Sequence, residues 1–176
     1  MIQRPQSIFL AIVVLAQSFV GYGWPIWTKT GISGQSAELT NTHWTISQNG
    51  ALVNEHSHIV LALLLIASTL LTILILFSFK NRMRQMTLGL VNSLLIAGSM
   101  AYTFWIIFKQ AMPVFEPENQ GAYGFGFYAM VVALLANMIA NRLIRKDEML
   151  VQSSNIMRYA TTNTPIRVDF SILNGR

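Results

Sequence analysis

Residues 59–79, with the sequence IVLALLLIASTLLTILILFSF, form an apolar run without a single Asp, Glu, Lys, Arg or His. A helix needs about 20 such residues, within a range of roughly 17–25, to cross the hydrocarbon core of a bilayer. Three further runs also lack these five residue types: residues 8–24, 87–108 and 123–139. The sequence therefore predicts an all-α membrane protein with four transmembrane helices over about residues 8–24, 59–79, 87–108 and 123–141.

Composition agrees with this prediction. Charged residues make up 11% of the 176 residues, whereas a soluble domain carries roughly 25%. So few charges cannot cover a water-facing surface. The chain also has no cysteine, which excludes disulfides, cysteine-ligated clusters, thiol catalysis and a lipid anchor on cysteine.

The first run has a second interpretation. Arg4, the apolar stretch and the small residues Ala16 and Ser18 resemble a signal peptide with its cleavage site. We expect a retained first helix instead.

Basic residues are distributed unevenly among the loops. Ten of the twelve fall in the N-terminus, the turn of residues 80–86 and the segment after the fourth run, whereas only Lys29 and Lys109 fall in the other two loops. Lys and Arg accumulate on the cytoplasmic side of a membrane. We therefore expect both termini inside and residues 25–58 and 109–122 outside. Positive charge beside a membrane favours contact with lipid, and no nucleic-acid partner is expected.

Small residues recur every fourth position in the third and fourth runs. The two sets are Gly89, Ser93, Ala97 and Ala101, and Ala129, Ala133, Asn137 and Asn141. This spacing puts small side chains on one helix face and allows close helix packing. The two faces are expected to contact each other or the remaining helices, and a dimer interface is the alternative.

Asn92 and Asn137 lie at matching depths inside the third and fourth runs. Amides in lipid seek hydrogen-bond partners, so structural interhelical bonding is the main interpretation. A path for a polar substrate is the alternative, although few other polar groups converge there.

The loop of residues 25–58 contains Asn49-Gly50 between two stretches that favour strands. This dipeptide is a strong hairpin signal, and it predicts a short β-hairpin.

Residues 1–158 are expected to form the transmembrane domain, and residues 159–176 a cytoplasmic tail that begins with a linker. Apolar side chains then alternate with polar ones, at Ile166, Val168, Phe170 and Ile172. Period-two alternation predicts a strand that pairs with the sheet edge of a cytoplasmic partner. A disordered tail is the alternative.

His43, His56 and His58, with Glu55, raise the question of a metal site on the outer face. His56 and His58 are two residues apart, so they converge only in an extended chain. We expect polar surface residues here, with no metal and no cofactor.

Three segments of the chain resemble those of a known family. The opening MIQRPQSIFL of residues 1–10, the basic turn from Lys80 to Asn92 and the segment NRLIRKDE of residues 141–148 are similar to a bacterial four-helix membrane family called domain of unknown function 4293. The likeness covers the chain to about Arg158, except for the outer loop. Family members tend to close with Asp-Arg-Leu-Arg, of which residues 155–158 keep only the arginine. The resemblance implies a topology in the bacterial inner membrane but no activity.

The leading hypothesis is a non-catalytic accessory or structural subunit of a larger inner-membrane complex, which contacts lipid and other integral membrane subunits. A pump or proton-coupled carrier would need ionisable groups within the helices. The alternatives are a small oligomeric channel or carrier for an uncharged solute and, third, an outer-face metal-binding protein.

Overall fold

Four helices form the body of the protein in a computed structural model that describes residues 5–78, 81–115 and 119–163. They are α1 (Pro5–Gly21), α2 (Ile59–Phe77), α3 (Arg82–Ile106), which continues into a π-helical turn (Ile107–Ala111), and α4 (Phe125–Asn163). Three stretches are long and apolar enough to cross a membrane: Ile59–Phe77, Met83–Ala111 and Phe125–Arg158. Helix α1, with 17 residues, is a shorter apolar helix.

The boundaries of α1 follow from its terminal residues. Pro5 starts the helix, where its missing N–H removes no hydrogen bond and its fixed φ already suits a helix. Gly21 ends it, and Gly23 follows with a φ of +94°, a left-handed conformation that glycine adopts without strain. The helix therefore lies three residues earlier than the predicted 8–24.

Buried residues in each helix recur with alternating spacings of four and three. They are Gln6, Leu10, Val13, Gln17 and Val20 in α1; Leu61, Leu65, Ser68, Thr72 and Ile75 in α2; Gln85, Gly89, Asn92, Ile96, Ser99, Thr103 and Ile106 in α3; and Gly126, Met130, Ala133, Asn137, Ala140 and Ile144 in α4, where Ala136 is buried in addition. This heptad pattern is typical of helices that pack with a left-handed twist. We call each of these buried rows the seam of its helix. Many seam residues are polar, although the rest of the helix is apolar.

A five-stranded antiparallel sheet lies at the end of the bundle where α1 joins α2. Its strands are β1 (Trp27–Thr30), β2 (Gln35–Leu39), β3 (His43–Gln48), β4 (Ala51–Ser57) and β5 (Ala122–Tyr123), in the order β4-β3-β2-β1-β5. The predicted hairpin at Asn49-Gly50 joins β3 to β4, and both turn residues have positive φ, 51° and 79°. The prediction of a single hairpin missed the other three strands.

Two tryptophans attach the sheet to the bundle. Trp27 and Trp44 are buried, with ring centroids 5.7 Å apart, and share a core with Leu61, Ile106 and Met130.

Beside them, Lys29 is only 2% exposed, and its Nζ donates to the carbonyl of Met112 at 2.9 Å. Met112 directly follows the π-helical turn, so the ammonium group lies at the negative end of a helix.

The chain divides into two compact units, of which the first ends at Ile144. In the second unit, α4 continues to Asn163, so residues 159–163 are helical and the prediction of a linker there is wrong. No glycine or proline occurs between residues 145 and 163, and nothing in that stretch breaks a helix. The predicted strand at Ile166, Val168, Phe170 and Ile172 lies outside the described residues.

Candidate functional site

A chain of hydrogen bonds runs through the centre of the bundle and joins all four helices. Gln17 of α1 donates to Ser68 Oγ of α2 at 2.6 Å, and that hydroxyl donates to Asn92 Oδ1 of α3 at 2.7 Å. The Asn92 amide donates in turn to Thr72 Oγ1 and to Asn137 Oδ1 of α4, each at 3.0 Å. Every member of this central network is an uncharged amide or hydroxyl.

The network continues along α4 toward the α2–α3 turn. Asn137 Nδ2 donates to Ser93 Oγ at 2.8 Å, and Asn141 Nδ2 donates to Ser93 Oγ and to the Gly89 carbonyl, both at 3.0 Å. A Cβ on Gly89 would collide with Asn141 Oδ1, a buried atom without a hydrogen-bond partner. Glycine at this position therefore allows the amide to reach the backbone of α3.

The seven predicted packing residues divide into two groups. Gly89, Asn92, Ser93, Ala133 and Asn137 lie at contacts between helices, whereas Ala97 and Ala101 are exposed. A step of four residues rotates about 40° past one full turn of a helix with 3.6 residues per turn. The row of small residues consequently leaves the seam after Ser93, and the seam continues through Ile96, Ser99 and Thr103 instead.

The strand register separates His56 from His43 and Glu55, two of the other residues considered for a metal site. Thr45 pairs with Glu55 and Trp44 with His56, which places Glu55 and His56 on opposite faces of the sheet. His43 Nε2 lies 3.3 Å from Glu55 Oε1, and His56 Nε2 contacts the Asn54 amide at 3.4 Å. Across the described segments, no three His, Asp or Glu side chains are arranged to hold a metal ion.

His58 differs from the other two histidines because it is buried. It precedes α2, its ring meets Tyr102 edge-on, and its Nε2 has no hydrogen-bond partner. Burial lowers the pKa of His58 below its ordinary value of 6.5, and the nearby His56 lowers it further, whereas a hydrogen bond with Gln110 of the π-helical turn opposes the shift. The neutral ring is therefore favoured in the folded protein.

The sheet ends in an uncovered strand. All seven residues of β4 are exposed, and β4 is the outermost strand beside β3. Within the described segments, no strand pairs with its outer row of backbone N–H and C=O groups, which leaves that row available for pairing with another chain. The opposite edge is β5, which has only two residues.

The fold defines a class of small helical protein suited to a membrane. It has four helices, three of them long enough to cross a membrane, a sheet over one end and neutral buried amides. A family model described as domain of unknown function (DUF4293) matches residues 2–156. The chain belongs to this family. No curated protein matches the sequence.

Proposed function

We propose that this protein is a non-catalytic accessory or structural subunit of a larger complex in the bacterial inner membrane. In this proposal the chain crosses the membrane four times, with both ends in the cytoplasm and the sheet outside. Strand β4, exposed along its whole length at the edge of that sheet, carries the proposal.

An edge strand of this kind is unusual in a protein that acts alone. Native proteins protect sheet edges with charged side chains, above all lysine, with proline, β-bulges, very short strands or a covering helix. In the sequence ALVNEHS of β4 this protection is limited to Glu55 and to a register irregularity at Val53, and Leu52 and Val53 are both exposed. An extended segment of another protein can add to such an edge through backbone hydrogen bonds, with side-chain contacts to Leu52 or Val53 giving specificity.

The bundle interior supports a structural role. The amides and hydroxyls of the central network bond to one another, and Asn92 alone joins Ser68, Thr72 and Asn137. None of these groups is a nucleophile activated by a neighbouring base, and none titrates near neutral pH. Their arrangement holds helices together in a fixed register.

The topology rests on helix length and charge. Helix α1 is about 26 Å long at 1.5 Å per residue, close to the roughly 30 Å of the hydrocarbon core. Single cysteines at Asn49 and Arg82 of this cysteine-free chain test the orientation with a membrane-impermeant thiol reagent on intact spheroplasts. We expect Asn49→Cys to be labelled and Arg82→Cys to be protected. Labelling of Arg82→Cys would overturn the orientation.

The docking edge is tested by affinity purification from native membranes with a matched pair of variants. Val53→Lys places a charge on the edge strand, whereas Ile32→Lys places one in the same loop but outside the edge. The two residues have similar exposure, 62% and 66%. We expect Val53→Lys to lose a partner that Ile32→Lys retains.

Recovery of the same partners with both variants would show that β4 is not the docking site. A pure homo-oligomer without foreign subunits would favour the oligomeric channel instead. Docking by the C-terminal tail stays a separate prediction, which deletion of residues 160–176 tests in the same purification.

A further inference from the structure

A groove of about 280 Å³ lies between α1 and α2 near the sheet. It is lined by residues of both helices and of the β2–β3 turn, namely Gln17, Ser18, Gly21, Asn41, Thr42, Ala62, Leu65, Ile66, Thr69 and Leu70. We call it the α1–α2 groove.

The groove is polar at its rim and apolar along its length. Asn41 and Thr42 come from the turn beside the sheet, and the Asn41 amide donates to the Gly21 carbonyl at 3.3 Å, at the last residue of α1. Only one of the two hydrogens on Asn41 Nδ2 is used in that bond. Ile66 and Leu70 of α2 form the apolar wall of the groove, and their exposed side chains face away from the core.

The polar side chains deeper in the groove already have partners. Thr69 Oγ1 bonds to the Leu65 carbonyl at 2.8 Å and to Gln17 Oε1 at 3.0 Å, and Ser18 Oγ donates to the Val14 carbonyl at 2.8 Å. Gln17 itself is 3% exposed. The deep part of the groove therefore suits an apolar occupant, and a partner for hydrogen bonds is needed only at the rim.

With the proposed transmembrane topology, on which this inference rests, the length of the groove matches the thickness of one leaflet of a bilayer. From Ala62 to Leu70 the helix rises about 12 Å, whereas half of the hydrocarbon core is roughly 15 Å. The polar rim then lies at the depth where a phospholipid carries its ester groups.

The groove suits a thin occupant. A third helix, with a diameter of about 10 Å, would rest on α1 and α2 without filling the space between them. A methylene chain is much thinner, because carbon atoms of neighbouring groups approach to about 4 Å. The lining also contains no charged side chain, which favours the neutral ester region over the phosphate as the group at the rim.

We propose that the α1–α2 groove binds one acyl chain of a phospholipid from the outer leaflet, with an ester oxygen accepting a hydrogen bond from Asn41. The bound lipid fills the space between the ends of α1 and α2 beneath the sheet.

The test uses the full-length protein in vesicles of phosphatidylethanolamine and phosphatidylglycerol that contain a trace of phospholipid with a photoactivatable acyl chain. Cross-linked peptides are mapped by mass spectrometry. Ala62→Phe fills the groove, and Ala67→Phe makes the same change on an exposed part of α2 outside the lining. We expect cross-links to concentrate on the α1 and α2 segments of the groove in the wild type and in Ala67→Phe, and to fall to the level of other exposed helix faces in Ala62→Phe.

Uniform cross-linking over all exposed faces of the wild type would overturn the proposal, because it would show only the general lipid shell. A copurified protein occupying the groove would overturn it as well. If Ala62→Phe does not fold, the smaller Ala62→Leu replaces it, with the same outcomes. Val53→Lys separates this inference from the docking role of β4: loss of the partner with unchanged cross-linking leaves lipid binding intact, and loss of cross-linking with retained partners leaves docking intact.

Discussion

Asn92 is the residue whose removal should disturb the bundle most. It accepts a hydrogen bond from Ser68 and donates to Thr72 and Asn137, so it connects α2, α3 and α4. Interhelical hydrogen bonds in membranes average about 0.6 kcal/mol, which gives roughly 2 kcal/mol for three. Asn92→Ala also leaves the buried Asn137 Oδ1 without this donor, which adds about 1–3 kcal/mol. We expect a total loss of about 3–5 kcal/mol in the free energy of unfolding.

The measurement is reversible unfolding in mixed micelles, with Ser99→Ala as the matched control. Ser99 lies on the same seam of α3 and is equally buried, but its hydroxyl donates to the Ile96 carbonyl of its own helix at 2.7 Å. Its removal should cost less than about 1 kcal/mol, because no other helix loses a partner.

Asn92→Leu separates hydrogen bonding from packing, since leucine restores most of the lost volume without restoring a donor. The reasoning is refuted if Asn92→Ala is no more damaging than Ser99→Ala. It is also refuted if leucine recovers the full stability, because the loss would then come from a cavity.

Two further predictions concern close packing and pH. Gly89→Ala should destabilise the protein by about 1–3 kcal/mol because its Cβ has no space, whereas Gly98→Ala, with nothing within 4 Å, should be neutral or up to about 1 kcal/mol stabilising; equal melting temperatures for the two would contradict this. For His58, the lowered pKa means that the unfolded chain binds its proton at a higher pH than the folded chain, so stability should fall as the pH drops below about 6.5 and level off below the folded pKa. His58→Gln should flatten that part of the pH profile, whereas His43→Gln should leave it in place, and an unchanged slope in His58→Gln would exclude burial of His58 as the cause.

Long apolar runs made the helices predictable, but the contacts between them were harder to predict. In a run such as residues 59–79, apolar residues cover every face, so their periodicity does not identify the buried side. The polar residues identify the buried side. Ser68 and Thr72 of α2 lie on the buried seam, and so do Asn92 and Ser99 of α3. The spacing of four between small residues identified Gly89 and Ser93 but diverged from the true seam beyond them.

Only the local part of the sheet could be predicted from the sequence. The hairpin of β3 and β4 is local, and its Asn49-Gly50 turn identifies it. Strand β5 has two residues, and its pairing with β1 joins parts of the chain that are far apart in sequence. No local sequence pattern predicts such a pairing. The burial of Lys29 was equally unpredictable, because its Nζ bonds to the carbonyl of Met112, which is 83 residues away in the chain. The uncovered edge of β4 is equally a property of strand order, which a single sequence does not show.

The pairing of β5 with β1 has a consequence for biosynthesis. Trp27 pairs with Tyr123 and Thr28 with Ala122, so this edge of the sheet stays open while the ribosome makes α2 and α3. A nascent chain that stops before residue 122 leaves the whole of β1 as an open edge, whereas in the finished protein β5 covers Trp27 and Thr28. Since open edges invite aggregation, a chain truncated before residue 122 should aggregate more readily than the full chain. Closure of this side of the sheet therefore has to wait until the segment that precedes α4 has been made.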